Sequence, residues 1–153
     1  MDWTLQKAVE LGVHEIVPVL SARSVVRLEA RQIAPKLRHW QGVVASACEQ
    51  CGRSRLPSVR PPVELREFLA GPAPARSRLV LGPDSPASLA GLASLGDQVE
   101  LLVGPEGGFS DSESEAIAES RFRSVRLGPR VLRTETAGVA ALAILQALWG
   151  DLQ

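Results

Sequence analysis

Apolar residues recur along this chain at two spacings. Leu5, Ala8, Val9 and Gly12 fall at helical intervals, predicting a short helix over residues 5–12 with Gly12 as its C-terminal cap. Residues 14–20 read as a strand, and Pro18 marks its end or a sheet edge. Leu37, Trp40, Val43, Val44, Ala47 and Cys51 form one stripe of a helix predicted over residues 35–51, with Pro35 in the first turn. Residues 52–62 hold three Pro, three Arg and a Gly and read as a loop; residues 63–69 read as a brief helix and 71–74 as a second loop. Three apolar runs then stop at Gly-Pro: residues 78–81 before Gly82-Pro83, 99–103 before Gly104-Pro105, and 125–127 before Gly128-Pro129. Short apolar runs bounded by turn signals fit buried strands of a parallel sheet. Ser110 and Glu113 have the spacing of a capping box. An Ala- and Leu-rich helix is predicted over residues 134–149, closed by Gly150. The alternation of strand and helix predicts an α/β fold with a mostly parallel sheet.

The length, 153 residues, suits one domain over 1–153 with a core of its own. At 45% hydrophobic and 22% charged, the composition excludes a disordered tail or a fibrous repeat. No run approaches the roughly 18 apolar residues of a membrane span, and the N-terminus has no apolar signal segment. Two cysteines cannot staple a small secreted domain, so a reducing cytoplasm is expected. Seventeen basic residues balance seventeen acidic ones, so bulk charge does not announce a nucleic-acid partner. Placement says more. Fifteen of the bases are Arg, residues 97–119 carry seven acids and no base, and residues 121–133 carry five Arg and no acid. The planar guanidinium fork suits phosphates and base edges.

Ligands of open α/β sheets bind beyond the carboxyl ends of the strands. Two segments there are rich in chemistry. Gly104-Pro105-Glu106-Gly107-Gly108-Phe109-Ser110 allows close backbone approach and leads into a helix N-terminus. Neither the P-loop nor the dinucleotide fingerprint is present. Arg130, Arg133, Thr134, Glu135 and Thr136 crowd a second strand-to-helix junction. Thr134 could cap that helix, but Arg130 and Arg133 oppose the dipole at a helix N-terminus, a local conflict that points to function. Cys48-Glu49-Gln50-Cys51 lacks a second ligand pair and lies at a helix end, so it reads as core packing; no metal site is expected.

These residues resemble a known family. Residues 102–110 and 127–137 are similar to the two signature loops of the 16S ribosomal RNA uridine-N3 methyltransferases (RsmE-type), of the SPOUT class. Residues 6–13, Ser24 and residues 47–53 resemble further family segments, so the likeness covers essentially the whole chain. The resemblance implies a parallel sheet with helices on both faces and a C-terminal deep trefoil knot, an exception to the rule against knots. It implies S-adenosylmethionine as cofactor, a homodimer with the site near the subunit interface, and 16S ribosomal RNA or the small ribosomal subunit as partner. The implied cofactor residues are Leu81 and Gly82; Val103, Gly104, Pro105, Glu106, Gly107 and Gly108; Leu127 and Gly128; and Val131, Leu132, Arg133, Thr136 and Ala137. Arg133 and Arg130 are expected to stabilise charge on the uracil, and Glu135 to orient an Arg or accept the proton. Arg23, Arg27 and Arg53 are expected to contact RNA phosphates. The family carries an N-terminal barrel-like domain that helps bind RNA; this chain is expected to be the catalytic domain without it. That leaves a non-catalytic dimerisation and RNA-binding module as the alternative, with another nucleotide-binding α/β enzyme as a third reading.

Overall fold

The structure, a computed structural model, describes residues 1–24, 29–71 and 77–152. Helix α1 (Asp2–Glu10) buries Leu5, Ala8 and Val9. Its end follows from Gly12, whose φ of 82° turns the chain so that its N–H reaches Val9 O while that of Val13 reaches Ala8 O.

The apolar run at 14–20 is two short strands, not one. Val17-Pro18 separates β1 (Glu15–Ile16) from β2 (Val19–Leu20). They pair in parallel with β3 (Ser58–Val59) and β4 (Val63–Glu64). Pro61 and Pro62 have no N–H to give, and the register slips by one residue across them, from Glu15 opposite Ser58 to Val19 opposite Val63. The expected loop over 52–62 therefore contains a strand, and the helix expected from residue 63 begins later, as α3 (Leu65–Ala70).

Helix α2 (Ala30–Cys51) starts five residues before Pro35, which lies inside the helix and not in its first turn. The reason is local: Ala30, Arg31, Gln32 and Ala34 are good helix formers, and Gln32 completes a capping box on Glu29. The apolar stripe is as expected, with Trp40, Val44, Ala47 and Cys48 buried against Leu5, Val9 and Val59. Cys48 and Cys51 are free thiols, the first buried and the second half-buried, at the last turn of α2.

The main sheet has three parallel strands, with β5 (Ser77–Leu81) between β6 (Val99–Leu102) and β7 (Arg123–Val125). Alternation along β5 builds a core on each face. Leu79 joins Leu89, Leu92, Leu95 and Val125 beneath Ala141 of α5 (Thr134–Trp149). Val80 joins Leu102, Phe122, Leu65 of α3 and Ile117 of α4 (Asp111–Glu119). Helices thus cover both faces of a parallel sheet, as expected for an α/β fold. The third strand begins two residues earlier than its apolar run, and Arg126 continues it only as a bridge to Ser88.

Arg78 is buried on β5, where its Nε donates to Glu100 Oε2 at 2.7 Å and its Nη1 to Ser120 O at 2.9 Å, with Phe122 stacked against the guanidinium. Gln146 of α5 donates from Nε2 to Leu11 O, tying the last helix to the end of the first.

Candidate functional site

Because β5, β6 and β7 are parallel, their carboxyl ends meet at one edge. There the chain makes the turn after Leu81, the Gly-rich loop 103–110 and the segment 126–133. The two signature segments, far apart in sequence, touch. Thr134 Oγ1 donates to Gly104 O at 3.0 Å. Thr134 is the first residue of α5 and not its cap; Arg133 occupies the N-cap position with no side-chain cap bond. Arginine is a poor N-cap, so the conflict between local rule and sequence persists in the structure.

The loop's glycines are fixed by space and backbone. A Cβ on Gly104 would stand 2.9 Å from the Phe109 ring, and Gly108 sits at φ 66°, closing a turn through its N–H to Pro105 O. Ser110 then caps α4: its Oγ accepts from Glu113 N–H, and its own N–H donates to Glu113 Oε2 at 2.8 Å, as the spacing predicted.

Glu113 does more than cap. Its Oε1 accepts the N–H of Ala22 at 2.7 Å, across 91 positions of sequence. Beside this contact Arg23 donates from Nη1 to Gly107 O, also at 2.7 Å. Burial pushes the Glu113 carboxyl up, but the N–H groups of Ser110 and Ala22, the Ser110 hydroxyl and the Arg23 charge outweigh it and hold the group below the usual range.

On the other side, residues 127–132 take part in no backbone hydrogen bond among the described residues. Peptide groups outside secondary structure need partners, and this run of polar backbone is free to serve a ligand. Leu81, Val103, Leu127, Leu132 and Ala137 are half-buried and give the edge apolar walls, while Val131 is 81% exposed. Arg130 and Arg133 are exposed, Glu135 is half-buried, and none of the three forms an ion pair among the described residues. Gly82, Pro105, Glu106, Gly128 and Thr136 lie in the same loops and helix start.

Of the arginines expected to meet RNA, Arg23 stands at the site. Arg53 lies elsewhere, its Nη1 donating to Val9 O and Val13 O at the end of α1. Arg27 lies outside the described residues. Sequence reading missed the second oxygen of Glu113 and the latch made by Thr134, because neither partner is close in sequence. No group of three or more His, Cys, Asp or Glu is placed to hold a metal among the described residues.

A parallel α/β sheet with Gly-rich and Arg-bearing loops gathered at its carboxyl edge defines a ligand-binding α/β domain. Residues 1–146 match the family of the RNA methyltransferase domain. The chain belongs to that family. It is 37% identical over 152 residues to the ribosomal RNA small subunit methyltransferase E of Buchnera aphidicola from Schizaphis graminum, a match covering 99% of this chain and 62% of that relative. The ribosomal RNA small subunit methyltransferase E of Neisseria gonorrhoeae, solved bound to S-adenosyl methionine, is 42% identical with a TM-score of 0.92, covering 100% of this chain and 62% of that one. A methyltransferase structure from Legionella pneumophila in complex with SAM is 39% identical with a TM-score of 0.90, covering 96% of this chain and 60% of that one. The chain thus spans about 60% of the length of these relatives.

Proposed function

We propose that this chain is a single domain, residues 1–153, that transfers a methyl group from S-adenosylmethionine to N3 of a uridine in 16S ribosomal RNA of the small subunit. The observation that carries the reading is the match, over nearly all of this chain, to structures solved with bound S-adenosylmethionine, on a chain whose two signature loops stand latched at one sheet edge. The residues present suit that cofactor. Half-buried Leu81, Val103, Leu127 and Leu132 provide apolar walls for an adenine, and the unpaired backbone of 127–132 provides donors and acceptors for its polar edge.

The cofactor supplies an electrophilic methyl sulfonium. The protein then needs mainly to position the two reactants, which is worth roughly 7–11 kcal/mol in well-oriented systems. Gly108 and Gly128, with open space where a side chain would stand, let the backbone approach a ligand closely; Gly82, Gly104, Pro105, Glu106 and Gly107, with Val131, Thr136 and Ala137, complete the cofactor-binding set. N3 of uracil must lose a proton, and negative charge then spreads to O2 and O4. Arg133 and Arg130, exposed and free of carboxylate partners among the described residues, stabilise that charge. Glu135, in the first turn of α5, orients an arginine or takes the proton. The base reacts unpaired or flipped out. Arg23 contacts RNA phosphate beside the loop, and Arg27 and Arg53 are further candidates for phosphate contact.

The same reading places the chain in the SPOUT class, with a deep trefoil knot around the loops at 104–110 and 128–137 and a homodimer in the cytoplasm. No helix among the described residues is long and apolar enough to cross a membrane. The test is transfer of labelled methyl from S-adenosylmethionine to small-subunit RNA, with digestion to nucleosides to locate the label. The expected result is N3-methyluridine in the wild type. Arg133→Ala should lose transfer by about 10²–10³-fold, the scale for removing one donor to developing charge, and still bind the cofactor by calorimetry. Full turnover in that variant would remove Arg133 from the mechanism; absence of cofactor binding by folded wild type would sink the whole reading.

A further inference from the structure

The Gly-rich loop is held from two sides. On one, Thr134 fastens the Gly104 carbonyl to α5. On the other, the segment 21–24 fastens the Gly107 carbonyl through Arg23 Nη1 at 2.7 Å. That segment is a β-turn, with Ser24 N–H donating to Ser21 O at 3.0 Å and Ser21 N–H to Ser24 Oγ at 2.9 Å. Its grip depends on one carboxylate. Glu113 gives Oε2 to Ser110, at the end of the Gly-rich loop, and Oε1 to Ala22, at the head of the turn. A carboxylate accepts at both oxygens, so Glu113 joins turn and loop into one unit and sets the backbone from which Arg23 reaches Gly107. Capping α4 requires only the Ser110 half of this arrangement. The Ala22 half has no role in the helix.

Arg23 is itself double-ended. A guanidinium carries five N–H donors. Nη1 serves Gly107, while the side chain is exposed and forms no ion pair among the described residues. Its remaining donors face solvent and suit a phosphate oxygen.

We infer that the turn 21–24 is a strap coupling the cofactor loop to the RNA backbone, with Glu113 as its positioning residue and Arg23 as the link between Gly107 and an RNA phosphate. This rests on the reading of the loops as the cofactor site. Ordering either end orders the other, so cofactor and RNA each bind better in the presence of the other, by the same factor.

The decisive variant is Ala22→Pro. Ala22 is the second residue of the turn, where proline is favoured, and proline has no N–H to give Glu113. The α4 capping box stays intact. Glu113→Gln and Arg23→Ala cut the strap at its other two points, and Glu115→Gln, on the exposed face of α4, is the control. Amide hydrogen exchange of the ligand-free proteins comes first. Exchange in residues 104–110 should rise about tenfold in the three strap variants and stay unchanged in Glu115→Gln. Equal exchange in all of them overturns the strap, whatever the cofactor does. With S-adenosylmethionine added, the wild type should gain protection in 21–24 as well as in 104–110. Arg23→Ala should keep only the second, and cofactor affinity should fall about tenfold in each strap variant. Protection confined to 104–110 in the wild type overturns the coupling. Failure of the wild type to bind the cofactor removes the functional reading instead, and the ligand-free exchange still decides the strap.

Discussion

At the scale of single residues, the side chains that matter most are those whose second partner is remote. Glu113 reads locally as half of a capping box, and that reading is right as far as it goes. Its bond to Ala22 has no local signature. The depressed pKa of Glu113 makes the pair visible to pH. A carboxyl whose folded pKa lies below its unfolded value, about 4.3 for Glu, contributes its full stability above that value and loses it as pH falls through the folded pKa. Asp2 acts in the same direction, its carboxyl held low first by the hydrogen bond to His39. The informative quantity is therefore the difference between wild type and Glu113→Gln: the variant should be less stable at pH 7, and the gap should close below about pH 4, read from urea midpoints along a pH series. Thr134→Val tests the opposite side of the loop. It deletes the donor to Gly104 O, and we expect a loss of about 1 kcal/mol in stability, together with weaker cofactor binding; Thr134→Ser should restore both. Arg78 is a purely structural case. Replacing it with Ala leaves the half-buried Glu100 carboxylate without its cation and should cost about 3 kcal/mol by chemical denaturation, whereas Arg78→Met with Glu100→Leu should cost much less, since the desolvated charge goes too.

At the scale of elements, legibility followed the reach of the physics. The first two runs ending in Gly-Pro announced parallel strands because β5 and β6 lie under helices and need apolar residues; the third did so less well, since β7 begins two residues earlier and leaves Arg123 and Ser124 exposed. The helix over 134–149 was legible to the residue, since Gly150 ends it and nothing within it breaks it. The short strands β3 and β4 were not, because they lie among Pro57, Pro61 and Pro62 and exist only through the partner across the pair. Pro35 misled in the opposite direction. Proline favours a first turn, but here favourable neighbours and the Glu29–Gln32 box start α2 five residues earlier and leave Pro35 at an interior position. There its missing N–H leaves the Arg31 carbonyl without its helical partner. The side chain is exposed, so the cost is not repaid by packing. Pro35→Ala should accordingly raise stability by about 1–3 kcal/mol with no change in cofactor affinity, as thermal melts and calorimetry would show. A loss of stability would mean that Pro35 serves the packing of Trp40 against Leu5 and Val9.

At the scale of the whole molecule, three packed clusters and one edge of loops account for most of the chain, and α5 is what they leave unfinished. Nearly every residue from Ala137 to Trp149 is apolar, yet only Gly138 and Ala141 are buried. Ile144, Leu145 and Trp149 reach the core beneath the sheet. Ala147 and Leu148 are exposed, Leu148 by 44%, and Met1, Trp3 and Leu152 at the chain ends are exposed large apolar residues too. A helix this rich in Ala and Leu fits a core or a contact between copies; the burial pattern shows that this core uses only one side. A second copy on that outer side, as in the proposed homodimer, would stabilise the helix by about 25 cal/mol for each Å² of apolar surface removed from water. The site grows from the same helix: Arg133 stands at its N-cap position, Thr134 and Glu135 begin it, and Gln146 binds its far end to the end of α1. A partner on its outer side would therefore steady the residues at its start. Leu148→Arg places a charge in that contact, fourteen positions from Thr134 and outside the loops of the site. Sedimentation should find the wild type dimeric and Leu148→Arg monomeric at the same concentration, with methyl transfer falling in step and returning as the concentration of the variant is raised. A wild type that sediments as a monomer would overturn the contact between copies, and a variant that stays dimeric would place that contact on another face of the molecule.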